Sequence, residues 1–315
     1  MNEKVFSNPN NGKMDLKPHL SILMMAYNQG DYIQEAIESV LKQVLPFEWE
    51  LVIGDDASTD NTEEVVLEFV AKYPLNIRYF KHEKNIGLHL NYIFSVAQCK
   101  GKYIALLEAD DYWIDIDKSK RQVNFMDENP NVVWTFTDGI LVNEKNEIIQ
   151  KIQFDKPEIF NFEFFLGHFF NPLNNTIVFR KTAEPINYPL FFNSVAQWDT
   201  VLHYLRSLKG DIGYIALNGL AWRRHAQATS FSSGFSGVKR YKDWIKINKH
   251  IKQYIPDNLH TYFSANFIAY EFISLAYFRE RKYLLFLKYF FLMIFNKPFR
   301  AFAAYRDYFW KLRKQ

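Results

Sequence analysis

The hydrophobic pattern of residues 20–111 alternates between two periods. Four apolar runs have the length of buried strands, and they cover residues 21–27, 50–56, 77–82 and 103–110. The segments between these runs place apolar residues at helical spacing, as in DYIQEAIESVLKQ (31–43). Strands that alternate with helices predict a parallel sheet, whose ligand site lies beyond the carboxyl ends of its strands.

The pattern changes after residue 117. In the first half of the chain, the helix after residue 60 has a clear start signal, because Asp60 can serve as its N-cap and Glu63 follows three residues later. Beyond residue 117 we predict two helices and three strands, and from Val238 onward a mostly aromatic, helical and basic region. The helices cover 118–130 and 195–210, and the strands cover 132–142, 175–181 and 213–225.

Composition narrows the class of protein. The chain has 315 residues, of which 48% are hydrophobic, enough for one large α/β domain or two smaller ones. A single cysteine, Cys99, excludes an internal disulfide framework and a cysteine-based zinc site, which predicts a cytoplasmic protein. Residues 1–19 are polar and have no apolar signal segment, so we predict a disordered tail there.

Positive charge is concentrated at the C-terminus. Residues 277–315 carry ten Lys and Arg against two acidic residues, whereas the whole chain has a net charge of only +3. The apolar segment YLLFLKYFFLMIF (283–295) is too short to span a bilayer, which requires ~20 residues. It fits an interfacial segment attracted to anionic lipid, or a helix packed on the catalytic domain with its basic side in water.

One predicted strand ends in three carboxylates, Glu108, Asp110 and Asp111. Like charges this close raise one another's pKa, so the cluster predicts a positive partner. Hard oxygen ligands suit Mg²⁺ or Mn²⁺, which bind through one or two carboxylates together with phosphate oxygens of a substrate. The structural alternative is a solvated turn in which Asp111 caps the segment that follows.

A second strand ends in GDDASTD (54–60). Turn and cap roles explain Asp60 and Ser58, but they leave Asp55 and Asp56 available to accept hydrogen bonds from a base or a ribose. Asp199 lies in the first turn of a predicted helix, where the helix dipole favours a carboxylate, and taken alone it is structural. Arg223 and Arg224 form an ordinary charged strand end and His225 is an ordinary surface histidine, unless a phosphate lies nearby.

Six segments together resemble an inverting glycosyltransferase of family 2 with the GT-A fold. They occur in the family's order and spacing over about residues 20–228: SILMMAYNQGDYIQEAIESVLKQ, LVIGDDASTDNT, the NIG of 85–87 followed by Asn91, GKYIALLEADDYW, WDTVLHYL and GYIALNGLAWRRH. The resemblance implies an α/β protein with a Rossmann-like mixed sheet. Its expected parts are the tail 1–19, a catalytic domain 20–230 and a basic aromatic helical extension 231–315. Within the domain, 20–111 would bind the nucleotide sugar and 112–230 the acceptor.

The resemblance also implies roles for individual residues. Tyr27 would stack on the base, Asp56 would hydrogen-bond it, and Asp199 would be the catalytic base. The implied nucleotide-sugar-binding residues are Ala26, Tyr27, Asn28, Asp55, Asp56, Asn85, Gly87, Asp110, Arg224 and His225. The implied ligands of Mn²⁺ or Mg²⁺ are Asp110, Glu108 and Asp111. Asp110 is the expected main ligand, since Glu108 stands where many members of the family have Asp.

The implied function is metal-dependent transfer of a sugar from a nucleotide sugar, most commonly a UDP-sugar. The acceptor would be a hydroxyl of a glycan or lipid-linked molecule in bacterial surface polysaccharide synthesis, at the cytoplasmic face of the inner membrane. One alternative is a nucleotidyltransferase, but the chain has neither GxG nor GxxxxGK. A second is a non-catalytic sugar- or membrane-binding module, against which Asp110 and Asp199 argue. Nucleic-acid binding by the basic C-terminus is not expected.

Overall fold

The computed structural model describes residues 4–6, 17–167, 171–225, 237–259 and 267–296. The chain divides into two compact units. The first unit comprises Met1–Phe162, Phe170–Tyr188 and Leu202–Thr229, and the second comprises Glu163–Phe169, Pro189–Val201 and Ser230–Gln315.

The described strands of the first unit form one sheet. They are β1 (Lys4–Phe6), β2 (Leu20–Ala26), β3 (Trp49–Asp55), β4 (Ile77–Lys81), β5 (Tyr103–Glu108), β6 (Tyr112–Trp113), β7 (Val132–Val142), β8 (Ile148–Ile152), β9 (Ile159–Phe160), β10 (Val178–Arg180) and β11 (Asp211–Arg223). The strand order is β1-β4-β3-β2-β5-β10-β7-β11-β6, with β8 paired to β7 and β9 paired to β11.

Strands β4, β3, β2 and β5 are parallel, which confirms the prediction for residues 20–111. The helices between them are α1 (Ile33–Leu41), α2 (Thr62–Lys72) and α3 (Leu88–Gln98). In the register, Ala26 lies opposite Asp55 and Met25 lies opposite Glu108. The carboxyl ends of β2, β3 and β5 therefore meet at one edge of the sheet.

The core of this half is built from strands that are apolar along nearly their whole length. All of β2 is buried, as expected of a central parallel strand covered on both faces. Helix α3 approaches β3 closely at Gly54, where an added Cβ would lie 1.9 Å from the Ser95 Oγ. Only glycine fits that position without displacing the side chains of Ser95 and Asn91.

The other half makes the sheet mixed. Strand β10 lies antiparallel between β5 and β7, and β7 and β11 form a long parallel pair. A short 3₁₀ turn, Asn174–Thr176, precedes β10, so the strand predicted at 175–181 is shorter than expected. Helix α4 (Lys118–Glu128) packs against β7 and β11.

The predicted disordered tail 1–19 is wrong where the structure describes it, at residues 4–6 and 17–19. The His19 N–H donates to the Glu48 carbonyl oxygen at 2.8 Å. Lys4–Phe6 form β1, which pairs antiparallel with β4. Without β1, β4 would present an unpaired row of backbone N–H and C=O groups at the edge of the sheet. This backbone pairing explains how a polar segment without an apolar pattern can hold a strand. The tail positions 1–3 and 7–16 lie outside the described residues, as do positions 297–315 of the predicted basic extension.

The described part of the second unit is mainly helical. The remaining helices of the described chain are α5 (Phe162–Gly167), α6 (Trp198–Ser207), α7 (Gly237–Ile251), α8 (Phe267–Arg279) and α9 (Tyr283–Asn296). Only the first turn of α6, up to Val201, belongs to the second unit, and its remainder belongs to the first. Val238, Ile273 and Tyr277 form its small core, against which Phe286 and Tyr289 pack. No helix among the described residues combines the length and the apolar character needed to cross a bilayer.

The compact units do not coincide with the predicted domain boundary at residue 230. Residues 189–201, assigned from the sequence to the catalytic domain, belong to the unit that contains α7. The Gln197 N–H donates to the Asp243 Oδ2 at 2.8 Å, and the Phe191 ring stacks on His250 with centroids 5.2 Å apart. Contacts between residues this distant along the chain leave no signal in a local hydrophobic pattern.

Candidate active site

The loops after β2 and β3 are fastened to each other. The Asn28 N–H donates to the Ser58 Oγ, and the Thr59 N–H donates to the Asn28 Oδ1, both at 2.8 Å. Asn28 has a left-handed backbone with φ of 54°, a conformation that asparagine tolerates better than most residues. Tyr27 is 45% exposed, so its ring is available for stacking.

Asp55 lies beneath these loops. It is fully buried, and its carboxylate accepts hydrogen bonds from the Ser58 N–H, the Ser58 hydroxyl and the Tyr79 hydroxyl. Burial and the bond to Asp55 raise the pKa of Tyr79, so the phenol keeps its proton and donates. The observed contacts of Asp55 therefore fix the loop after β3.

Asp56 organises a different loop. It is buried, and its carboxylate accepts the Ile86 N–H at 2.6 Å and the Gly87 N–H at 2.9 Å. The Asn85 Oδ1 also accepts the Gly87 N–H, at 3.1 Å. Gly87 has a φ of 88°, which a side chain would strain. Asp56, Asn85 and Gly87, predicted separately, form one hydrogen-bonded group.

Asp60 was predicted to be the N-cap residue of α2, but it lies one residue before the N-cap position, Asn61, and still accepts a hydrogen bond from the first turn. Helix α2 begins at Thr62, and the Thr62 N–H donates to the Asp60 Oδ1 at 3.0 Å. The Gly30 N–H donates to the other oxygen at 2.9 Å. Burial alone would raise the pKa of Asp60, but the donors from Thr62 and Gly30 lower it. Asp60 thus joins the start of α2 to the loop after β2.

The three carboxylates at the end of β5 are close together. Glu108, Asp110 and Asp111 each offer an oxygen, and these oxygens lie within 4.8 Å of one another. Asp111 is buried, whereas Glu108 and Asp110 are partly exposed. Burial raises the pKa of Asp111, and the charges of Asp110 and Glu108 raise it further. A divalent cation has the charge and the ligand preference that suit this group.

Asp111 is held by two donors from distant parts of the chain. The Asn175 Nδ2 donates to one of its oxygens, and the Arg223 N–H donates to the other at 2.8 Å. The Asn175 Nδ2 also lies 3.4 Å from the Glu108 Oε2. Sequence reasoning missed Asn175; its one local signal is an Asn pair directly before a short apolar strand.

The Arg223 guanidinium fixes the same turn. It is buried, donates to the Asp110 carbonyl oxygen at 2.8 Å and forms an ion pair with Glu35. It also lies 4.9 Å from the centre of the Tyr32 ring. An arginine at the end of an apolar strand was the available signal, but the sequence favoured its neighbour Arg224, which is exposed.

His225 contacts the acidic motif directly. Its Nε2 lies 3.0 Å from the Asp110 Oδ2, and its ring packs on Tyr32 with centroids 4.6 Å apart. The histidine is almost fully buried. The structure therefore joins the end of β11 to the end of β5, two segments that are more than 100 residues apart in the chain.

Asp199 belongs to the second unit. It lies in the first turn of α6, is half-buried, and its Oδ1 accepts the Thr200 N–H at 2.8 Å. A helix N-terminus stabilises the negative charge of a carboxylate. The bond from Gln197 to Asp243 ties the start of α6 to α7.

A comparison with protein families decides the classification. The sequence model of the family "Glycosyl transferase family 2" matches residues 21–184, which is more than half of the chain. The chain belongs to glycosyltransferase family 2. This family 2 match includes the loops after β2 and β3 and all three carboxylates of the acidic motif. Asp199 and His225 lie beyond it.

Known proteins agree with this assignment. The putative teichuronic acid biosynthesis glycosyltransferase TuaG of Bacillus subtilis is 31% identical over 162 residues, which are 51% of this chain and 60% of TuaG. The matched regions span 59–60% of the length of the first curated relatives.

Two solved structures are similar in fold. S. aureus TarS in complex with UDP-GlcNAc has a TM-score of 0.63 at 19% identity, covering 90% of this chain and 83% of that chain. Mannosyltransferase PcManGT from Pyrobaculum calidifontis, in complex with GDP-Man and Mn²⁺, has a TM-score of 0.53 at 15% identity, covering 94% and 88%. These likenesses confirm the predicted GT-A fold.

Proposed function

We propose that this protein is a metal-dependent inverting glycosyltransferase that moves a sugar from a nucleotide sugar to a hydroxyl group. The observation that carries the proposal is the cluster of Glu108, Asp110 and Asp111 beside the loops after β2 and β3 in a family 2 chain. Carboxylates at this edge of a parallel sheet lie where such folds bind nucleotides.

The donor would bind across the strand ends. Tyr27 offers an exposed ring for stacking on the base, and Asp56 with the Asn85–Gly87 loop would line the nucleotide side. Ala26 and Asn28 shape the backbone at the end of β2, and Asp55 holds the opposite loop in place. UDP is the proposed nucleotide. TarS was solved in complex with UDP-GlcNAc and PcManGT in complex with GDP-Man, so the donor test has to include both nucleotides.

The carboxylates fit a divalent cation, because hard oxygens are available within 4.8 Å and a bound cation would offset their mutual repulsion. Glu108 and Asp110 would hold Mn²⁺ or Mg²⁺, and Asp111 would add negative charge from its buried position. When bound, the cation supplies positive charge for the departing diphosphate. His225 and Arg224 would support the phosphates from the end of β11.

Asp199 would act as the general base. Its carboxylate would accept the proton of the acceptor hydroxyl while the hydroxyl oxygen attacks the anomeric carbon from the face opposite the leaving group. One displacement inverts the configuration at that carbon, and no covalent enzyme intermediate forms. The position of Asp199 in the first turn of α6 supports the ionised form that a base requires.

The proposed acceptor is a glycan or a lipid-linked molecule in bacterial surface polysaccharide synthesis. The name of TuaG, which refers to teichuronic acid biosynthesis, supports this class. We also propose that the protein works peripherally at the cytoplasmic face of the inner membrane, where a lipid-linked acceptor would be found.

Release of nucleoside diphosphate tests the reaction. Wild-type protein should release it from one member of a panel of UDP-, GDP- and dTDP-sugars in the presence of Mn²⁺ or Mg²⁺. EDTA should abolish the release, and added Mn²⁺ should restore it. Binding of donor without turnover would lead to the same assay with candidate glycan acceptors. If no donor binds or turns over with any metal, and Asp110→Ala and Asp199→Asn behave like wild type, the proposal is wrong.

The contact of Asn175 with Asp111 leads to a separate prediction. Asn175→Ala should weaken Mn²⁺ binding by about 10–100-fold, because residues that orient metal ligands typically contribute that much to metal affinity. Titration with Mn²⁺, followed by electron paramagnetic resonance of the free ion, measures the change. Asn174→Ala is the matched control, since Asn174 is the adjacent residue of the same turn. Equal Mn²⁺ affinity in the two variants would contradict the orienting role.

A further inference from the structure

Helix α9 has an apolar outward face. Its inward side chains Phe286, Tyr289 and Met293 are spaced at helical intervals, and Phe286 and Tyr289 pack on the small core of the second unit. The opposite side is exposed and consists largely of Leu284, Leu285, Leu287, Phe291, Leu292 and Phe295. Leu284 is 85% exposed and Phe295 is 84% exposed. Contiguous apolar surface of this kind marks an interaction site.

The exposed apolar face of α9 favours the interfacial interpretation of residues 283–295 over a helix that only packs on its own protein. A helix that merely packed on its own protein would turn polar residues to water. The only charged residue in α9 is Lys288, and its long aliphatic stem allows it to remain within an apolar surface while its charge reaches water.

Basic residues lie at both ends of the helix. Arg279, Arg281 and Lys282 come directly before α9, where Lys282 also forms an ion pair with Glu280 at 2.7 Å. Lys297 and Arg300 follow α9 in the sequence. Arg281 has a left-handed backbone with φ of 58° at the turn between α8 and α9.

The positive charge around α9 indicates which kind of partner binds its outward face. A second copy of the chain would bring together two segments that each carry ten basic and two acidic residues over 277–315. The surface of an anionic bilayer would instead attract each basic residue. At about 1.5 Å per residue, α9 is about 21 Å long, which is shorter than the hydrocarbon core of a bilayer. The described helix Tyr283–Asn296 is therefore too short to cross a bilayer, but it can lie along a membrane surface.

We propose that the outward face of α9 docks on an anionic lipid bilayer. The exposed leucine and phenylalanine side chains would enter the boundary between headgroups and acyl chains, and the basic residues directly before α9 would lie near lipid phosphates. This inference identifies the surface through which the proposed membrane association would occur, and it does not depend on the reaction at the strand ends.

Vesicle co-sedimentation of the full chain tests the docking surface. Wild type should bind vesicles of phosphatidylcholine with phosphatidylglycerol at least about tenfold more tightly than vesicles of phosphatidylcholine alone, and high salt should reduce the difference. Leu284→Glu with Phe291→Glu should weaken binding to the anionic vesicles by at least about tenfold. Leu75→Glu with Ile148→Glu is the matched control, since it adds the same charge at exposed apolar positions of the first unit.

Two further measurements separate the possible outcomes. Release of nucleoside diphosphate without vesicles should be the same in the α9 variant and in wild type, which would distinguish lost docking from lost catalysis. Equal binding of wild type and the α9 variant to the anionic vesicles would overturn the proposal. So would an α9 variant that converts a dimer to a monomer in light scattering while its vesicle binding is unchanged, because the face would then join two copies.

Discussion

Asp199→Asn should lower the turnover number by about 10²–10⁴-fold and leave the dissociation constant of the donor nearly unchanged, because positioned general bases contribute rate accelerations of that size. Asparagine keeps the size of the side chain and its ability to accept a hydrogen bond from the Thr200 N–H. It removes the basic oxygen that would take the proton of the acceptor hydroxyl. The loss should therefore appear in the chemical step.

Single-turnover kinetics with the preferred donor and acceptor, together with donor titration by calorimetry, measure the two quantities separately. Glu163→Gln is a suitable control, since Glu163 is an exposed acidic residue in the first turn of another helix, α5. Turnover close to that of wild type in Asp199→Asn would exclude Asp199 as the base. Loss of donor binding together with turnover would assign it a structural role instead.

The parts of the fold that the sequence predicted are those specified by local patterns. Buried parallel strands are apolar along their whole length, and helices repeat at 3.6 residues, so β2 to β5 and the helices between them were predictable. The acidic motif was predictable for a related reason. Three carboxylates directly after an apolar run repel one another, and that repulsion indicates a positive partner from outside the local sequence.

The contacts that complete the site depend on residues far apart in the chain. Asn175 reaches Asp111 because β10 inserts antiparallel between β5 and β7, an arrangement that the hydrophobic pattern of β10 alone does not specify. Arg223 was less prominent than Arg224 in the sequence, since alternation along β11 does not reveal which of two adjacent arginines turns inward. The grouping of residues 189–201 with α7 could not be predicted either, because it also depends on contacts between residues far apart in the chain.

Asp110→Asn should reduce both Mn²⁺ affinity and turnover, the latter by at least about 10²-fold, because loss of charge stabilisation at a leaving group has effects of that size. Asp110 is the partly exposed member of the motif that also contacts the His225 Nε2 at 3.0 Å. The substitution removes one negative charge and keeps the size of the side chain. The free energy of unfolding should therefore change little, in contrast to a substitution of the buried Asp111.

Mn²⁺ titration, steady-state turnover and urea denaturation of Asp110→Asn measure these three quantities. Asp115→Asn is the matched control, because Asp115 is an aspartate of the same segment outside the cluster of three carboxylates. A variant that kept its fold and lost turnover, but bound Mn²⁺ like wild type, would place Asp110 in donor binding rather than in metal binding. Equal turnover of Asp110→Asn and Asp115→Asn would remove the basis for a metal site at the end of β5. Partial recovery of the turnover of Asp110→Asn at high Mn²⁺ concentration would identify weakened metal binding as the cause of the loss.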